Sequence, residues 1–174
     1  LLRWWLGEVE WVSGAAPVMV PDRLDPGTGE RWTATADDVA FFTAEMVSGA
    51  VAQVFISGVA AQNVGNATRI FGSRGTITLS DDDERLLFAP AGEDLQDITV
   101  TDPNADLPGV NAGIWNVSVV ALMQELASAI RDGRRPFRGA TFADGLANQT
   151  VLDAVRISGA ERRWVRPEET LAGC

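Results

Sequence analysis

The architecture of this chain follows from one segment, Asp37-Asp-Val-Ala-Phe-Phe-Thr-Ala-Glu-Met-Val-Ser-Gly-Ala-Val-Ala-Gln-Val-Phe-Ile-Ser-Gly-Val59. It contains two apolar runs, rich in β-branched and aromatic residues, that meet at Ser48-Gly49. Glycine at that point supplies the positive φ that a tight hairpin loop requires. The stretch therefore predicts a long antiparallel hairpin.

The pairing of the two strands follows from the length of the loop. If Ser48 and Gly49 form a two-residue loop, Phe42 pairs with Phe55 on one face and Phe41 pairs with Ile56 on the other. Both faces are then apolar, although an antiparallel sheet usually leaves one face to water. We expect helices of the same chain to cover one face and another subunit or domain to cover the second.

Composition excludes several classes of function. The 174 residues and the 46% apolar content suit one compact domain with a proper core. The chain carries 24 acidic and 14 basic residues, so its net charge of -10 repels nucleic acid and anionic lipid. No apolar run approaches the roughly 20 residues of a membrane span. We expect neither nucleic acid nor a membrane as a partner.

Residue types that usually move protons are missing. All 14 basic residues are Arg, and the chain has no Lys, His or Tyr. General acids and bases that work near neutral pH are therefore limited to perturbed carboxylates and Cys174. Because Cys174 is the only cysteine, an internal disulfide is impossible and a reducing compartment is expected, which predicts a cytoplasmic protein.

The first third of the chain predicts a helix end, a strand and a loop. Residues 1–8 resemble the last turns of an amphipathic helix closed by Gly7. Since nothing before Leu1 caps that helix, we expect a fragment of a longer protein. A strand over residues 9–20 and a turn-rich loop over 21–36 follow, and the Gly-Thr-Gly of that loop lacks the third glycine of a dinucleotide fingerprint.

More strands are predicted after the central hairpin. Residues 68–79 form a second hairpin that turns at Gly72-Ser-Arg-Gly75, and short strands are expected at 85–89, 97–101 and 163–166. The acidic run 81–84 falls in a turn between strands. A Ca²⁺ loop would alternate ligands with spacers, so we interpret this run as a solvated turn and expect no metal site.

Two helices are expected near the carboxyl end. An apolar stripe with helical spacing ends at Gly133 and consists of Val119, Leu122, Met123, Leu126 and Ile130. The second helix begins with a capping box, Thr141-Phe-Ala-Asp144, and runs to about Ile157. The chain is thus predicted as one α+β domain over residues 1–174, an open and predominantly antiparallel sheet with helices packed on one face.

Four segments together resemble the carboxy-terminal domain of the Gfo/Idh/MocA oxidoreductases, which has a dihydrodipicolinate-reductase-like fold. They are Leu1-Leu-Arg-Trp-Trp-Leu-Gly-Glu8, the central hairpin with its Ser-Gly turn, Phe71-Gly-Ser-Arg-Gly-Thr-Ile77, and Ala140-Thr-Phe-Ala-Asp-Gly-Leu-Ala-Asn-Gln-Thr-Val-Leu-Asp-Ala154. The resemblance covers nearly the whole chain, and the order and spacing of the segments carry it.

The resemblance implies a division of labour. Family members place an NAD(P)-binding Rossmann domain, a Glu-Lys-Pro motif and a Gly-x-His-x-x-Asp segment before this domain, so the cofactor site and the catalytic Lys and His would all precede Leu1. No catalytic or cofactor-binding residue is carried over to this chain, although NAD or NADP is expected for the full-length protein. The domain would contact its own Rossmann domain, supply one wall of a pocket for a sugar, inositol or related polyol, and form a homo-oligomer through its sheet.

Three residues in glycine-rich loops are the candidates for lining a substrate pocket. An indole face covers the C–H side of a sugar ring, which favours Trp32 and Trp115, and Asn111 would bind a hydroxyl group. Trp4, Trp5 and Trp11 are expected to pack in the core or against the missing domain. The run 134–138, Arg-Arg-Pro-Phe-Arg, would either bind an anionic substrate or offset the dipole at the end of the preceding helix.

A second interpretation belongs to a different class. The same sheet would also serve a stand-alone, non-catalytic binding or assembly module without a cofactor domain. The coding region upstream of Leu1 discriminates between the two, because a Gly-x-Gly-x-x-Gly motif there would indicate the enzyme and a start codon immediately before Leu1 would indicate the module.

Overall fold

The structure, a computed structural model, describes residues 1–62, 65–80, 85–110, 114–134 and 139–173. Its helices and strands belong to the α+β class, and every strand pair among these residues is antiparallel, which confirms the predicted fold class. The strands are distributed over a three-stranded, a two-stranded and a four-stranded sheet.

The elements follow one another in a simple order. They are α1 (Leu2–Leu6), β1 (Val9–Ala15), β2 (Asp22–Leu24), β3 (Arg31–Thr33), β4 (Val39–Met46), β5 (Val51–Ser57), β6 (Thr68–Gly72), β7 (Gly75–Ser80), β8 (Arg85–Pro90), β9 (Gln96–Asp97), α2 (Ile114–Asp132), α3 (Phe142–Glu161) and a 3-10 helix (Pro167–Gly173). They fall into two compact units, one made of Leu1–Ala61 with Ala140–Cys174 and the other of Gln62–Gly139.

The core of the first unit lies between a sheet and a helix. The sheet has the strand order β1-β4-β5, and α3 packs on β1 across one of its faces. The buried side chains come from both layers and from the segment after α3, and they are Val12, Ala44, Met46, Ala52, Ala154, Val155 and Val165. Full burial of an aliphatic side chain stabilises the fold by about 1.5–3 kcal/mol, so this small cluster is what holds the layers together.

The central hairpin is present, but its predicted register is wrong by one residue. Met46 and Ala50 close a three-residue loop, because the Met46 N–H donates to the carbonyl of Ala50 at 2.8 Å. The glycine of that loop, Gly49, has φ 83°. A type I turn followed by a left-handed glycine is a common three-residue hairpin loop, and its extra residue shifts every pair.

The shifted register changes which aromatic rings are neighbours. Phe41 pairs with Phe55 and Phe42 pairs with Val54. The ring of Phe42 packs against the core, whereas Phe41 and Phe55 are 46% and 72% exposed. The prediction that Phe41 and Phe42 serve opposite faces therefore holds, with a different partner for each.

Helix α3 approaches β1 closely because two small residues face it. The Ser158 Oγ accepts a hydrogen bond from the Gly14 N–H at 3.0 Å and donates one to the Arg163 carbonyl at 2.6 Å. The next residue of the helix is Gly159, and a Cβ placed on it would lie 2.9 Å from the Cβ of Ala15, closer than two such atoms normally approach. Ser158 therefore connects β1, α3 and the turn that follows α3, and Gly159 allows α3 to pack closely on β1.

The start of α3 is the capping box that the sequence predicts. The Thr141 side chain accepts from the Asp144 N–H, and the Asp144 carboxylate accepts from the Thr141 N–H at 2.8 Å. The Thr141 N–H and the Thr141 hydroxyl both donate to the Asp144 carboxylate, which lowers the pKa of Asp144. The Arg3 guanidinium lies 3.7 Å from the same carboxylate, which ties α1 to the first turn of α3.

Two expectations for the segment before β4 need correction. Strand β1 ends at Ala15 and does not extend to residue 20, because Pro17 has no N–H to donate to a ladder. The expected loop over residues 21–36 contains a short two-stranded ribbon, β2 with β3. Three-residue strands give too little alternation for a sequence pattern to reveal.

The expected final strand over residues 163–166 is reduced to a single bridge. Val165 and Val12 exchange both backbone hydrogen bonds at 2.9 Å. The next N–H, that of Arg166, donates to the Glu169 carboxylate and not to a strand. Pro167 then begins the 3-10 helix, so the ladder stops after one pair.

The second unit contains a four-stranded antiparallel meander, β6-β7-β8-β9. Its first hairpin turns between Gly72 and Gly75, which confirms the predicted position. Helix α2 begins at Ile114, earlier than the apolar stripe indicated, and ends just before Gly133. The stripe is exposed over its length and consists of Val119, Leu122, Met123, Leu126 and Ile130. The acidic run 81–84 lies outside the described residues.

Candidate functional site

Trp32 lies on the ribbon formed by β2 and β3, where its side chain is 50% exposed. Its cross-strand partner is Arg23, whose guanidinium carbon lies 5.8 Å from the centre of the indole ring. A cation at that distance is attracted to the face of the ring. Arg23 therefore supports one orientation of the Trp32 indole, and half of the Trp32 surface remains exposed to a ligand.

The orientation of Arg23 is set by a buried carboxylate at the base of the ribbon. The Asp38 side chain, 5% exposed, accepts hydrogen bonds from Arg23 at 2.8 Å and from the backbone N–H groups of Met19 and Val20 at 2.7 and 3.0 Å. The hydrogen bond from the Met19 N–H is the largest of the interactions that lower the pKa of Asp38. Asp38, Arg23 and Trp32 form a continuous chain of contacts that the sequence did not predict.

Trp115, another of the predicted pocket residues, belongs to the second unit. Asn111 lies outside the described residues. Trp115 is the second residue of α2, where the backbone is helical. Their roles as substrate-lining residues, like that of Trp32, stay predictions.

The glycine-rich loop between β2 and β3 does not have free amides to offer to a phosphate. The N–H groups of Gly27 and Thr28 both donate to the Asp25 Oδ1, at 2.7 and 3.1 Å. A phosphate-binding loop instead points its backbone N–H groups at the ligand. The carboxylate of Asp25 occupies that place and fixes the turn.

Arg134, the first residue of the basic run that follows α2, is paired with its own helix. Its guanidinium lies 3.2 Å from Glu125 and 3.4 Å from Asp132, and the hydrogen bond that it donates to Glu125 is the largest cause that raises the pKa of Arg134. These contacts favour the role at the helix end over the binding of an anionic substrate for Arg134. The remaining residues of the run, 135–138, lie outside the described residues.

A depression of about 480 Å³ in the first unit is lined by β1, the hairpin tip, α3 and the 3-10 helix. Its apolar walls include Val9, Leu146 and Leu171, and Arg166 stands at its rim. Arg166 is paired with Glu10 and Glu168 at 3.2 Å and lies over the ring of Trp11. Trp11 is therefore half-buried under a paired cation, a contact between distant residues that no local pattern reveals.

A second depression, of about 510 Å³, lies on the meander of the second unit. Ile70, Ile77 and Phe88 pair across neighbouring strands and form its apolar floor, and Arg74 stands at its edge. Such a surface can bind apolar groups, but it contains no acid–base pair. Within the described ranges, no three acidic or cysteine side chains are placed to hold a metal ion, and no helix is long and apolar enough to cross a membrane.

Comparison with known proteins shows which of them this chain resembles. Residues 1–78 match the family model described as the GFO/IDH/MocA C-terminal domain. An uncharacterized oxidoreductase of Synechocystis sp. is 26% identical over 172 residues, a match that covers 94% of this chain and 46% of that protein. The predicted resemblance to the carboxy-terminal domain of the Gfo/Idh/MocA oxidoreductases is thereby confirmed.

Solved structures show the same fold over nearly the whole chain. Levoglucosan dehydrogenase in complex with NADH and L-sorbose has a TM-score of 0.76 at 22% identity, over 95% of this chain and 46% of that one. An oxidoreductase domain protein from Kribbella flavida has a TM-score of 0.73 at 30% identity, over 91% of this chain and 46% of that one. The chain thus spans about half the length of the relatives it matches.

Proposed function

We propose that this chain is the substrate-binding and oligomerisation domain of an NAD(P)-dependent oxidoreductase that acts on a sugar, an inositol or a related polyol. The observation that carries the proposal is the match of residues 1–78 to the GFO/IDH/MocA C-terminal domain. The fold shared with levoglucosan dehydrogenase supports it, since one solved complex of that enzyme holds NADH with L-sorbose and another holds NADH with levoglucosan. The domain is proposed to comprise residues 1–174 and to be cytoplasmic.

The proposal assigns the chemistry to a different part of the full-length protein. Oxidation of a polyol needs a hydride acceptor and a base for the hydroxyl proton. This chain has no His, Lys or Tyr to act as that base. We assign the base and the NAD or NADP site to a Rossmann domain of the same protein, with which this domain is in contact, and we assign the shape of the substrate pocket to the present residues.

Trp32, Asn111 and Trp115 are the proposed substrate-lining residues. The half-exposed indole of Trp32, held by Arg23, supports its part in the proposal because a fixed aromatic face loses little entropy when it stacks on a sugar ring. The amide of Asn111 would hydrogen-bond a hydroxyl group, and Trp115 would stack as Trp32 does. No residue of the chain is assigned a catalytic, metal-binding or cofactor-binding role.

Self-association through the outer face of the three-stranded sheet is the second part of the proposal. Phe41, Phe55 and Val51 leave 46%, 72% and 64% of their surface exposed on neighbouring strands. Exposed apolar side chains on one face of a folded protein often indicate an interaction surface. A homo-oligomer that buries this face removes it from water.

The assignment of Trp32 is tested with the full-length protein, using nicotinamide reduction by a panel of sugars, inositols and other polyols. Trp32→Ala is expected to raise KM about tenfold with little change in kcat, because stacking contributes equally to ground and transition states. Trp164→Ala, which removes a comparably exposed indole, is the matched control. An unchanged KM in Trp32→Ala contradicts the assignment, and a full-length protein that binds neither NAD nor NADP contradicts the proposed function.

A further inference from the structure

Two cross-strand pairs of the first unit have complementary chemistry. On the ribbon, Leu24 stands opposite Arg31. On the sheet, Val51 stands opposite Glu45. Each pair combines one aliphatic side chain with one charge, and the two charges have opposite signs. Such a match of shape and sign is what two docking surfaces present to each other.

Both pairs are open to contact. Leu24 and Val51 are 59% and 64% exposed, and Arg31 and Glu45 are exposed as well. Within the described part of the chain, neither Arg31 nor Glu45 forms an ion pair or a side-chain hydrogen bond. Arg23, in contrast, is held by Asp38.

The layout of the strand explains why the two pairs do not meet within one copy. The ribbon joins the sheet at the beginning of β4, where the Asp38 and Val39 N–H groups both donate to the Pro17 carbonyl. Glu45 is near the other end of the same strand. At about 3.3 Å per residue in an extended strand, that end lies roughly 20 Å from Val39.

Among the described residues, the ribbon leaves the apolar side chains of Leu24 and Trp32 half exposed or more. Its strands have three residues each, and an isolated two-stranded ribbon of that size is marginally stable in water. Its base is fixed by the Asp38 carboxylate, which accepts hydrogen bonds from Arg23 and from the Met19 and Val20 N–H groups, and by the backbone bond from the Ala34 N–H to the Pro21 carbonyl. The face that carries Leu24 and Arg31 is opposite to the face that carries Trp32, since neighbouring residues of a strand alternate.

We propose that the ribbon docks on a second copy of this chain, with Leu24 and Arg31 of each copy against Val51 and Glu45 of the other. A two-fold axis that sets the facing β4 strands antiparallel brings the beginning of one strand, with its ribbon, to the end of the other. The arrangement is isologous, so each contact occurs twice. It rests on the proposed self-association through the sheet and continues the patch of Phe41 and Phe55.

Charge reversal tests this docking in the 174-residue chain, with the dimer dissociation constant measured by sedimentation equilibrium. Arg31→Glu and Glu45→Arg should each weaken the dimer about tenfold, because like charges then face each other at both symmetric contacts. The double variant, Arg31→Glu with Glu45→Arg, should return to within about threefold of the wild type, since the pair is restored in the opposite sense.

Controls separate the possible failures. Arg74→Glu makes the same change of charge on the second unit and should leave the dissociation constant unchanged. Far-ultraviolet circular dichroism checks that each variant is folded. A wild-type dimer that single reversals do not weaken, or that the double variant does not restore, overturns the docking and leaves the sheet interface intact. A wild type that remains monomeric overturns both interface proposals, while the nicotinamide assay tests the proposed oxidoreductase separately.

Discussion

Phe41 and Phe55 stand directly opposite each other on β4 and β5, and both rings are exposed on the face of the sheet that α3 does not cover. A cross-strand aromatic pair normally stabilises its sheet, but two exposed rings also leave a large apolar area in water. The pair is the centre of the proposed interface between copies.

Replacing one of these rings should weaken self-association without unfolding the chain. Phe55→Ser is expected to lower the affinity of the dimer at least tenfold, because buried aromatic rings are frequent hot spots of interfaces. Sedimentation equilibrium measures the change. Phe71→Ser, which removes a ring that is 76% exposed in the second unit, is the control. Equal effects of the two substitutions would contradict the assignment of the dimer interface to this face of the sheet.

The hydroxyl of Ser158 should be essential for stability. Ser158→Ala leaves the Gly14 N–H and the Arg163 carbonyl without their partner at a buried position, which costs about 1–3 kcal/mol of unfolding free energy. Urea denaturation followed by circular dichroism measures the loss. Ser73→Ala changes an exposed turn and should alter stability by less than about 0.5 kcal/mol. A Ser158→Ala variant as stable as the wild type would contradict the role assigned to this hydroxyl.

Replacement of two glycines of α3 by alanine should change the stability of the chain in opposite directions. Gly145→Ala is expected to stabilise the chain by about 0.5–1 kcal/mol, because alanine favours the helix and its Cβ meets no atom within 4 Å. Gly159→Ala places its Cβ 2.9 Å from Ala15 and should destabilise the chain by about 1–3 kcal/mol. Thermal denaturation of the two variants provides the comparison. Stabilisation by both would mean that α3 does not approach β1 as closely as described.

Acid should remove one interaction of the second unit. The Thr99 hydroxyl, the Thr99 N–H and Arg85 together lower the pKa of Asp97 to about 2. A carboxyl group whose pKa is lower in the folded state stabilises that state above its unfolded pKa, near 4, and loses this contribution as the pH falls towards 2. The greater thermal stability of wild type over Asp97→Asn should therefore shrink over this window.

Asp94→Asn is the control for the acid experiment, because it removes the same charge from a side chain without a hydrogen bond among the described residues. Its stability relative to wild type should change much less between pH 5 and pH 2, a range of about three units that spans the titration of carboxyl groups. A gap between wild type and Asp97→Asn that stays constant over this range would contradict the assigned shift.

The sequence predicted those parts of the fold that depend on local signals. The capping box of Thr141 and Asp144, the turn between Gly72 and Gly75 and the end of α2 before Gly133 all follow from chemistry within a few residues. The resemblance to the Gfo/Idh/MocA domain rests on the order of such segments. Local sequence was sufficient to predict these features because the hydrogen bonds of their backbone N–H and C=O groups are made with residues nearby in the chain.

Other features depend on choices that local rules leave open. A glycine at the end of a loop fits both a two-residue and a three-residue hairpin, so Gly49 did not define the register. The single bridge between Val12 and Val165 and the contact of Arg23 with Trp32 join residues far apart in the chain or in a very short ribbon. For the candidate site, the position of Trp32 in a glycine-rich loop was enough to predict it as a pocket residue. The contact by which Asp38 holds Arg23 against Trp32 is visible only in the structure.

The most direct test of the proposed function compares the full-length protein with residues 1–174 in one nicotinamide assay. Each is mixed with NAD or NADP and a panel of sugars, inositols and related polyols, and the absorbance of the reduced cofactor is followed. We expect polyol-dependent reduction by the full-length protein and none by residues 1–174 alone, because the latter have no Lys, His or Tyr to accept the proton. Turnover by residues 1–174 alone, or a full-length protein that binds no nicotinamide cofactor, would contradict the proposed function.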